Sequence, residues 1–119
     1  RGLDEYRQQF VALLQRATAF AGGKPGRALV LSIPDWSVTP FAEGSDRAAI
    51  AAAIDAFNAV NREEAERLGV YYVDVTPFSR TAAADPTLIA ADGLHPSGKM
   101  YAEWARLALP AAREALGSK

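Results

Sequence analysis

Hydrophobic residues recur at intervals of three and four near the start of the chain, as they do on one face of an amphipathic helix. Tyr6, Phe10, Leu13 and Leu14 belong to this repeat, two acidic residues precede it, and a pair of glycines follows it. Acidic side chains favour the positive end of a helix dipole, and glycine favours a helix end. The pattern therefore predicts a helix over residues 4–21.

Two short hydrophobic runs, residues 28–33 and 70–75, have the composition of buried β-strands, and a proline follows each of them closely. Between them the spacing predicts a second helix, capped by Ser45 or Asp46 and closed by Gly69. A last helix is predicted from about Ser97, after a loop over residues 76–96. Its buried face would consist of Met100, Trp104, Leu107 and Ala108, and Pro110 would be a point of kinking.

The alternation of helices and strands predicts an α/β fold in which helices cover a parallel sheet. Two parallel strands leave two unpaired edges, so we expect further strands from an upstream segment or from another copy of the chain. The sequence opens at Arg1 without an initiator methionine. We therefore expect that something upstream of residue 1 has been removed, and a homo-oligomer is an alternative way to cover the edges.

Composition narrows the classes of function. The 119 residues are 50% hydrophobic, which suits one domain, and 13 basic against 14 acidic residues give a net charge of −1. Nothing in this balance favours nucleic acid or anionic lipid, whereas a small neutral ligand fits it. The absence of cysteine excludes thiolate metal sites and a cysteine nucleophile, and no run of about 20 apolar residues could span a bilayer. The cellular compartment stays open.

The clearest candidate for chemistry is the pair Asp92 and His95, which stand three residues apart just before the last predicted helix. A carboxylate can orient an imidazole through Nδ1, leaving Nε2 to take a proton from a hydroxyl nucleophile. Two other uses remain open for these residues. His95 and Asp92 could serve only to shape the loop, or they could bind a metal, although a single histidine and no cysteine make a metal site a poor fit.

The sequence around this pair resembles the last conserved block of the SGNH/GDSL hydrolases, in which an Asp-x-x-His pair supplies two members of a catalytic triad. Residues 92–104 carry that resemblance with DGLHPSGKMYAEW. The earlier segments 31–41 (LSIPDWSVTPF), 57–61 (FNAVN) and 72–76 (YVDVT) are similar to the later strands and helix of its lysophospholipase-like esterases. The resemblance thus covers nearly the whole chain.

The resemblance implies a three-layer α/β/α sandwich of flavodoxin-like type, of which residues 1–119 would be the carboxyl-terminal part of a single domain. It also implies hydrolysis of a small carboxylic ester without a cofactor, with His95 as general base and Asp92 as its orienting partner. The family's serine, and its oxyanion glycine and asparagine, lie in earlier blocks, so we expect them in an amino-terminal segment that is missing from this chain. The chain alone should be inactive.

Several other polar and aromatic residues have simpler structural uses than catalysis. Ser45 is expected to cap a helix rather than act as nucleophile, and Asn58 and Asn61 fall inside a predicted helix, where they are poor oxyanion candidates. Trp36 and Phe41 could form an apolar wall for substrate or could cover the helix layer.

Two aspartates, Asp35 and Asp74, stand at the ends of strands, where they could be functional or could cap backbone N–H groups. Arg47 is expected to be an ordinary solvated charge. The alternative to an esterase is a non-catalytic α/β binding or assembly module.

Overall fold

Four helices and two strands make up the part of the chain that the computed structural model describes, residues 2–117. The helices are α1 (Leu3–Phe20), α2 (Arg47–Leu68), α3 (Thr76–Arg80) and α4 (Gly98–Gly117), and the strands are β1 (Leu29–Leu31) and β2 (Tyr71–Val73). Short 3₁₀ turns occupy several of the connections, including Trp36–Val38 and Pro40–Ala42.

The two strands are parallel, which confirms the predicted arrangement. Leu29 pairs with Tyr71 and Leu31 with Val73. Alternate residues of a strand point to opposite faces, and Val30 and Tyr72 accordingly pack toward α1 and α2. Helix α4 contacts both strands, and the hydroxyl of Tyr71 donates to Glu114 on α4. Helices therefore cover both faces of a small parallel sheet, as in an α/β/α sandwich.

Two clusters of buried hydrophobic residues hold these layers together. The first joins α1, α2 and the strands through Phe10, Leu14, Ala28, Ala65 and Val70. The second lies under the amino terminus of α4 and is built from Ala82, Leu88 and Met100, with Trp104 packed against it. Leu88 and Met100 are 1% and 2% exposed. The second cluster supports the loop that precedes α4 and therefore supports the candidate site.

Helix α2 begins and ends largely as its sequence indicates. Asp46, rather than Ser45, is the amino-terminal cap, and its Oδ1 accepts a hydrogen bond of 3.0 Å from the Ala49 N–H. Gly69 ends the helix with a φ of +75°, a left-handed conformation that glycine adopts without steric cost.

The predicted burial is wrong at two positions, because Leu13 is 59% and Leu107 is 39% exposed. Both leucines lie on helices that pack against a sheet of only two strands, which leaves parts of the helices uncovered. The predicted loop over residues 76–96 also contains regular structure. Its first residues form the helix α3, which has a proline in its first turn. Pro110 lies inside α4, which continues through it to Gly117.

Within residues 2–117, β1 pairs only with β2, so its other edge is open. A cleft of about 710 Å³ lies beside this edge, lined by Leu29 of β1 and by the ends of α1 and α4. Phe20 and Leu116, which line it, are 90% and 85% exposed. The apolar surface at this edge has no cover among the described residues. None of the described helices has the length and apolar character that crossing a membrane requires.

Candidate active site

Asp92 and His95 form a closed turn immediately before α4. Asp92 Oδ1 accepts hydrogen bonds of 2.9 Å from the backbone N–H groups of Leu94 and His95, and Asp92 Oδ2 lies in a short contact with His95 Nδ1. The imidazole is 69% exposed. The three-residue spacing therefore lets one carboxylate both shape the turn and hold the ring by Nδ1, while the rest of the ring faces solvent.

The proton in the Asp92–His95 contact belongs to the imidazole. Backbone N–H donation from Leu94, the His95 side chain and the His95 N–H together lower the pKa of Asp92 to about 2. A carboxylate with that pKa is ionised at neutral pH and can only accept. His95 Nδ1–H is then the donor, and Nε2 of the neutral imidazole carries a lone pair that can accept a proton.

The turn is anchored on the α4 side by backbone and hydroxyl bonds. The Ala90 N–H donates to the His95 carbonyl at 2.7 Å, and the Ser97 N–H donates to the Leu88 carbonyl at 2.9 Å. Ser97 Oγ donates to the Thr87 carbonyl and accepts from the Met100 N–H at 3.3 Å. Ser97 thus caps α4 and joins the turn to the buried cluster beneath it.

On the opposite side the turn contacts the segment 36–41. The Phe41 N–H donates to the Gly93 carbonyl at 3.0 Å. Gly93 has a φ of +78°, and a Cβ placed there would lie 3.4 Å from Pro40 Cβ. The left-handed backbone therefore favours glycine at position 93, and a side chain there would meet Pro40 at the short limit of van der Waals contact.

Trp36 and Phe41 lie beside His95, on one groove of about 390 Å³. Their ring centroids are 6.0 Å apart at 61°, and the rings are 37% and 61% exposed as whole residues. The other lining residues are Ile33, Pro34, Leu94 and Pro96, so that the lining is apolar apart from the imidazole. The structure thus brings together the four residues that the sequence singled out.

The two strand-end aspartates serve the local backbone. Asp35 is 3% exposed, and its carboxylate accepts from the Ser37 N–H at 2.9 Å and from Arg80 Nε at 2.8 Å. Burial raises the pKa of Asp35, but the bonds from Ser37 and Arg80 outweigh it and hold that pKa below its ordinary value. Asp35 thereby fixes the start of the turn that carries Trp36. Asp74 accepts from Ser32 Oγ and the Thr76 N–H, at 3.0 and 3.2 Å.

Sequence reasoning missed the part that Asn58 plays in placing the groove. Its amide accepts from the Ile33 N–H at 2.8 Å, donates to the Ile33 carbonyl at 3.0 Å, and donates to Thr76 Oγ1 at 3.0 Å. Asn58 therefore continues the strand β1 into the groove wall much as a neighbouring strand would. The available signal was a polar residue four positions after Ile54, on the buried stripe of α2.

Within residues 2–117, no serine hydroxyl hydrogen-bonds to His95. Ser32, Ser79 and Ser97 donate instead to Asp74, to the Thr76 carbonyl and to the Thr87 carbonyl. Asn58 and Asn61 are buried on α2, and their amides are already bonded to Ile33, to Thr76 and to each other. The described residues also contain no group of three or more His, Asp and Glu side chains that could hold a metal ion.

Comparison with known proteins identifies one family. The model of the family described as GDSL-like lipase/acylhydrolase matches residues 1–103, a range that contains Asp92, His95, Trp36 and Phe41. No curated protein and no solved structure matches the chain.

Proposed function

The chain belongs to the GDSL-like lipase/acylhydrolase family, and we propose that it supplies the histidine and aspartate of a Ser-His-Asp triad that hydrolyses a carboxylic ester. Membership of the family supports a general esterase or hydrolase function. The contact between His95 Nδ1 and ionised Asp92 carries the finer proposal, because it is the bond that readies the opposite ring nitrogen for proton transfer.

In this proposal His95 is the general base and Asp92 is its orienting partner. Nε2 takes the proton from a serine hydroxyl as the oxygen attacks the ester carbonyl, and the imidazolium is stabilised by the Asp92 carboxylate. The proton then passes to the leaving alcohol. A water molecule, deprotonated by the same nitrogen, attacks the acyl-serine, releasing the acid and returning the serine its proton.

The serine is proposed to come from outside residues 1–119, in a segment that also brings the oxyanion donors. Two features support this source. The imidazole is open to solvent on the side away from Asp92, so another chain segment can reach it. The open edge of β1 offers a place for a further parallel strand, whose carboxyl end would lie near the groove since β1 itself runs toward Ile33. Residues 1–119 would then be the carboxyl-terminal part of one domain.

Trp36 and Phe41 are proposed to bind the apolar part of the ester. The groove they share with His95 is lined by hydrocarbon, and its volume of about 390 Å³ falls within the range of small-molecule sites. An uncharged acyl or alcohol group placed there would lose contact with water without losing hydrogen bonds.

A second candidate function is a non-catalytic binding or assembly module of the same fold. One observation favours it: among residues 2–117, the only hydrogen-bond partner of the His95 side chain is Asp92, and no nucleophile is in place. In that case the groove would bind an apolar group without cleaving it.

The two candidates are separated on the protein together with the segment proposed to supply its serine. That protein is labelled with a fluorophosphonate probe, which reacts with an activated serine, and its hydrolysis of p-nitrophenyl butyrate is measured. For the esterase, His95→Ala should lower kcat by about 10²–10⁴ and abolish labelling. Asp92→Asn should also lower kcat, and Asp85→Asn is its matched control. Asp85 likewise accepts from a backbone N–H two residues ahead but makes no bond to His95. Hydrolysis that survives His95→Ala would rule out His95 as the general base. A protein that neither labels nor hydrolyses the ester would leave the binding module as the better description.

A further inference from the structure

Arg47 extends from the first turn of α2 across the segment that carries the groove's two aromatic rings. Its Nη1 donates to the backbone carbonyl of Ser37 at 2.5 Å and to that of Thr39 at 3.0 Å. These carbonyls lie between Trp36 and Phe41 in sequence. Arg47 is exposed, as expected for a solvated charge, and its guanidinium also bonds to the middle of this segment.

The position of Arg47 is electrostatically unfavourable for helix α2 itself. A cation in the first turn of a helix faces the positive end of the helix dipole. The cap of α2 is already supplied by the neighbouring Asp46. The two hydrogen bonds from Arg47 to backbone carbonyls offset this unfavourable placement, because a hydrogen bond from a charged donor is stronger than one between neutral groups. Arg47 therefore acts on the groove segment rather than on its own helix.

The segment held by Arg47 is the one that touches the Asp92–His95 turn. Pro40 packs against Gly93, and the Phe41 N–H donates to the Gly93 carbonyl at 3.0 Å. Displacement of residues 37–39 would move both the aromatic wall and this backbone bond. The segment 36–41 therefore carries the groove wall and also contacts the Asp92–His95 turn. Arg47 holds the middle of this segment in place.

We propose that Arg47 is a positioning residue that keeps the Trp36–Phe41 wall at a fixed distance from His95 and so sets the preference of the site for the length of the apolar acyl group. The inference rests on the proposed esterase function. The effect of Arg47 on the position of the segment 36–41 and its effect on substrate preference can be measured separately.

The test compares Arg47→Met, which keeps the apolar stem, with Arg47→Lys and with Arg106→Met as the control. Arg106 is an exposed arginine that bonds to Glu103 on its own helix. Hydrogen exchange of the Phe41 amide, followed by NMR, reports the bond to Gly93 directly. Arg47→Met should speed that exchange by roughly tenfold. Arg47→Lys should have an intermediate effect, because a lysine ammonium can still donate but is more strongly hydrated than a guanidinium. The Ser32 amide, bonded to the Val73 carbonyl, should exchange at an unchanged rate.

Hydrolysis is measured on the protein together with the segment that supplies its serine, using p-nitrophenyl acetate and butyrate. Two additional buried methylenes can raise kcat/KM by up to about 15-fold, and Arg47→Met should shrink the measured butyrate-to-acetate ratio by roughly threefold or more. A loss of folded protein would lower the hydrolysis rates of both substrates by the same factor and leave their ratio unchanged. Arg106→Met should change neither the exchange nor the ratio.

An unchanged exchange rate at Phe41 would overturn the proposal at the level of geometry. Faster exchange with an unchanged substrate ratio would overturn the role in selectivity. If hydrolysis does not depend on His95 in any variant, the esterase function fails and the selectivity role fails with it. The exchange rates then decide alone whether Arg47 holds the two loops together.

Discussion

Replacing Gly93 with alanine perturbs the candidate site through the backbone alone. Gly93 has a φ of +78°, and an L-residue in the left-handed region costs about 1–2 kcal/mol. The added Cβ would lie 3.4 Å from Pro40 Cβ and 3.8 Å from Pro40 Cγ, at the short limit of van der Waals contact, so the turn has little room to relax its backbone on that side. Relaxation of the strained backbone would disturb the bond from the Phe41 N–H to the Gly93 carbonyl.

Gly44→Ala is the matched control for this change. Gly44 has a φ of +83°, and nothing lies within 4 Å of the Cβ that would be added. Both variants should therefore lose about 1–2 kcal/mol of unfolding free energy from the backbone term. Only Gly93→Ala should also alter the site, because only that change moves the turn carrying Asp92 and His95.

Urea denaturation measures the loss of unfolding free energy. Ester hydrolysis at saturating and at low substrate concentration measures the change at the Asp92–His95 turn. We expect similar shifts of the urea midpoint for the two variants, with kcat/KM reduced about tenfold in Gly93→Ala and unchanged in Gly44→Ala. Equal kcat/KM in both variants would refute the reasoning that the Gly93–Pro40 approach sets the turn. So would a Gly93→Ala protein as stable as the wild type.

Two further predictions concern the aspartates. Because the pKa of Asp92 lies at about 2, below its unfolded value, its contribution to stability is present above pH 4 and lost as pH falls toward 2. The stability difference between wild type and Asp92→Asn should therefore shrink between pH 5 and pH 2.5 in urea titrations, and a constant difference would contradict it. Asp35→Asn should cost about 1.5–3 kcal/mol, since it breaks a buried charged hydrogen bond from Arg80, whereas Asp55→Asn, which removes the exposed partner of the same arginine, should cost less than about 1 kcal/mol. Equal midpoint shifts for these two variants would be inconsistent with the buried position of Asp35.

The elements that sequence predicted well are those whose signals are local. The repeat through Phe10 and Leu14 predicted α1 to within a residue, since helix periodicity needs only the helix and one buried face. Asp46 and Gly69 set the ends of α2 by bonds and backbone angles within a few residues. The Asp92–His95 turn is local as well, because three residues separate the carboxylate from the imidazole it holds.

The features that sequence did not predict are contacts between distant segments. Arg47 and Asn58 look like ordinary polar residues of a helix, and their roles follow only once α2 lies against the ends of the strands. Leu13 belongs to the helical repeat of α1 and is nevertheless exposed. A helical repeat cannot show how much sheet is present to cover each of its residues. The spacing of hydrophobic residues identifies one face of a helix, whereas the burial of that face depends on the helices and strands that pack against it.

The single backbone bond between Phe41 and Gly93 has a consequence for protein engineering. Because this bond uses main-chain atoms, every amino acid except proline can supply its donor. The side chain at position 41 can then be exchanged to reshape the groove while the histidine turn keeps its support. If the proposed function holds, a saturation library at that position would alter substrate choice at little risk to Asp92 and His95. Proline would be the one member expected to break the bond between the two loops.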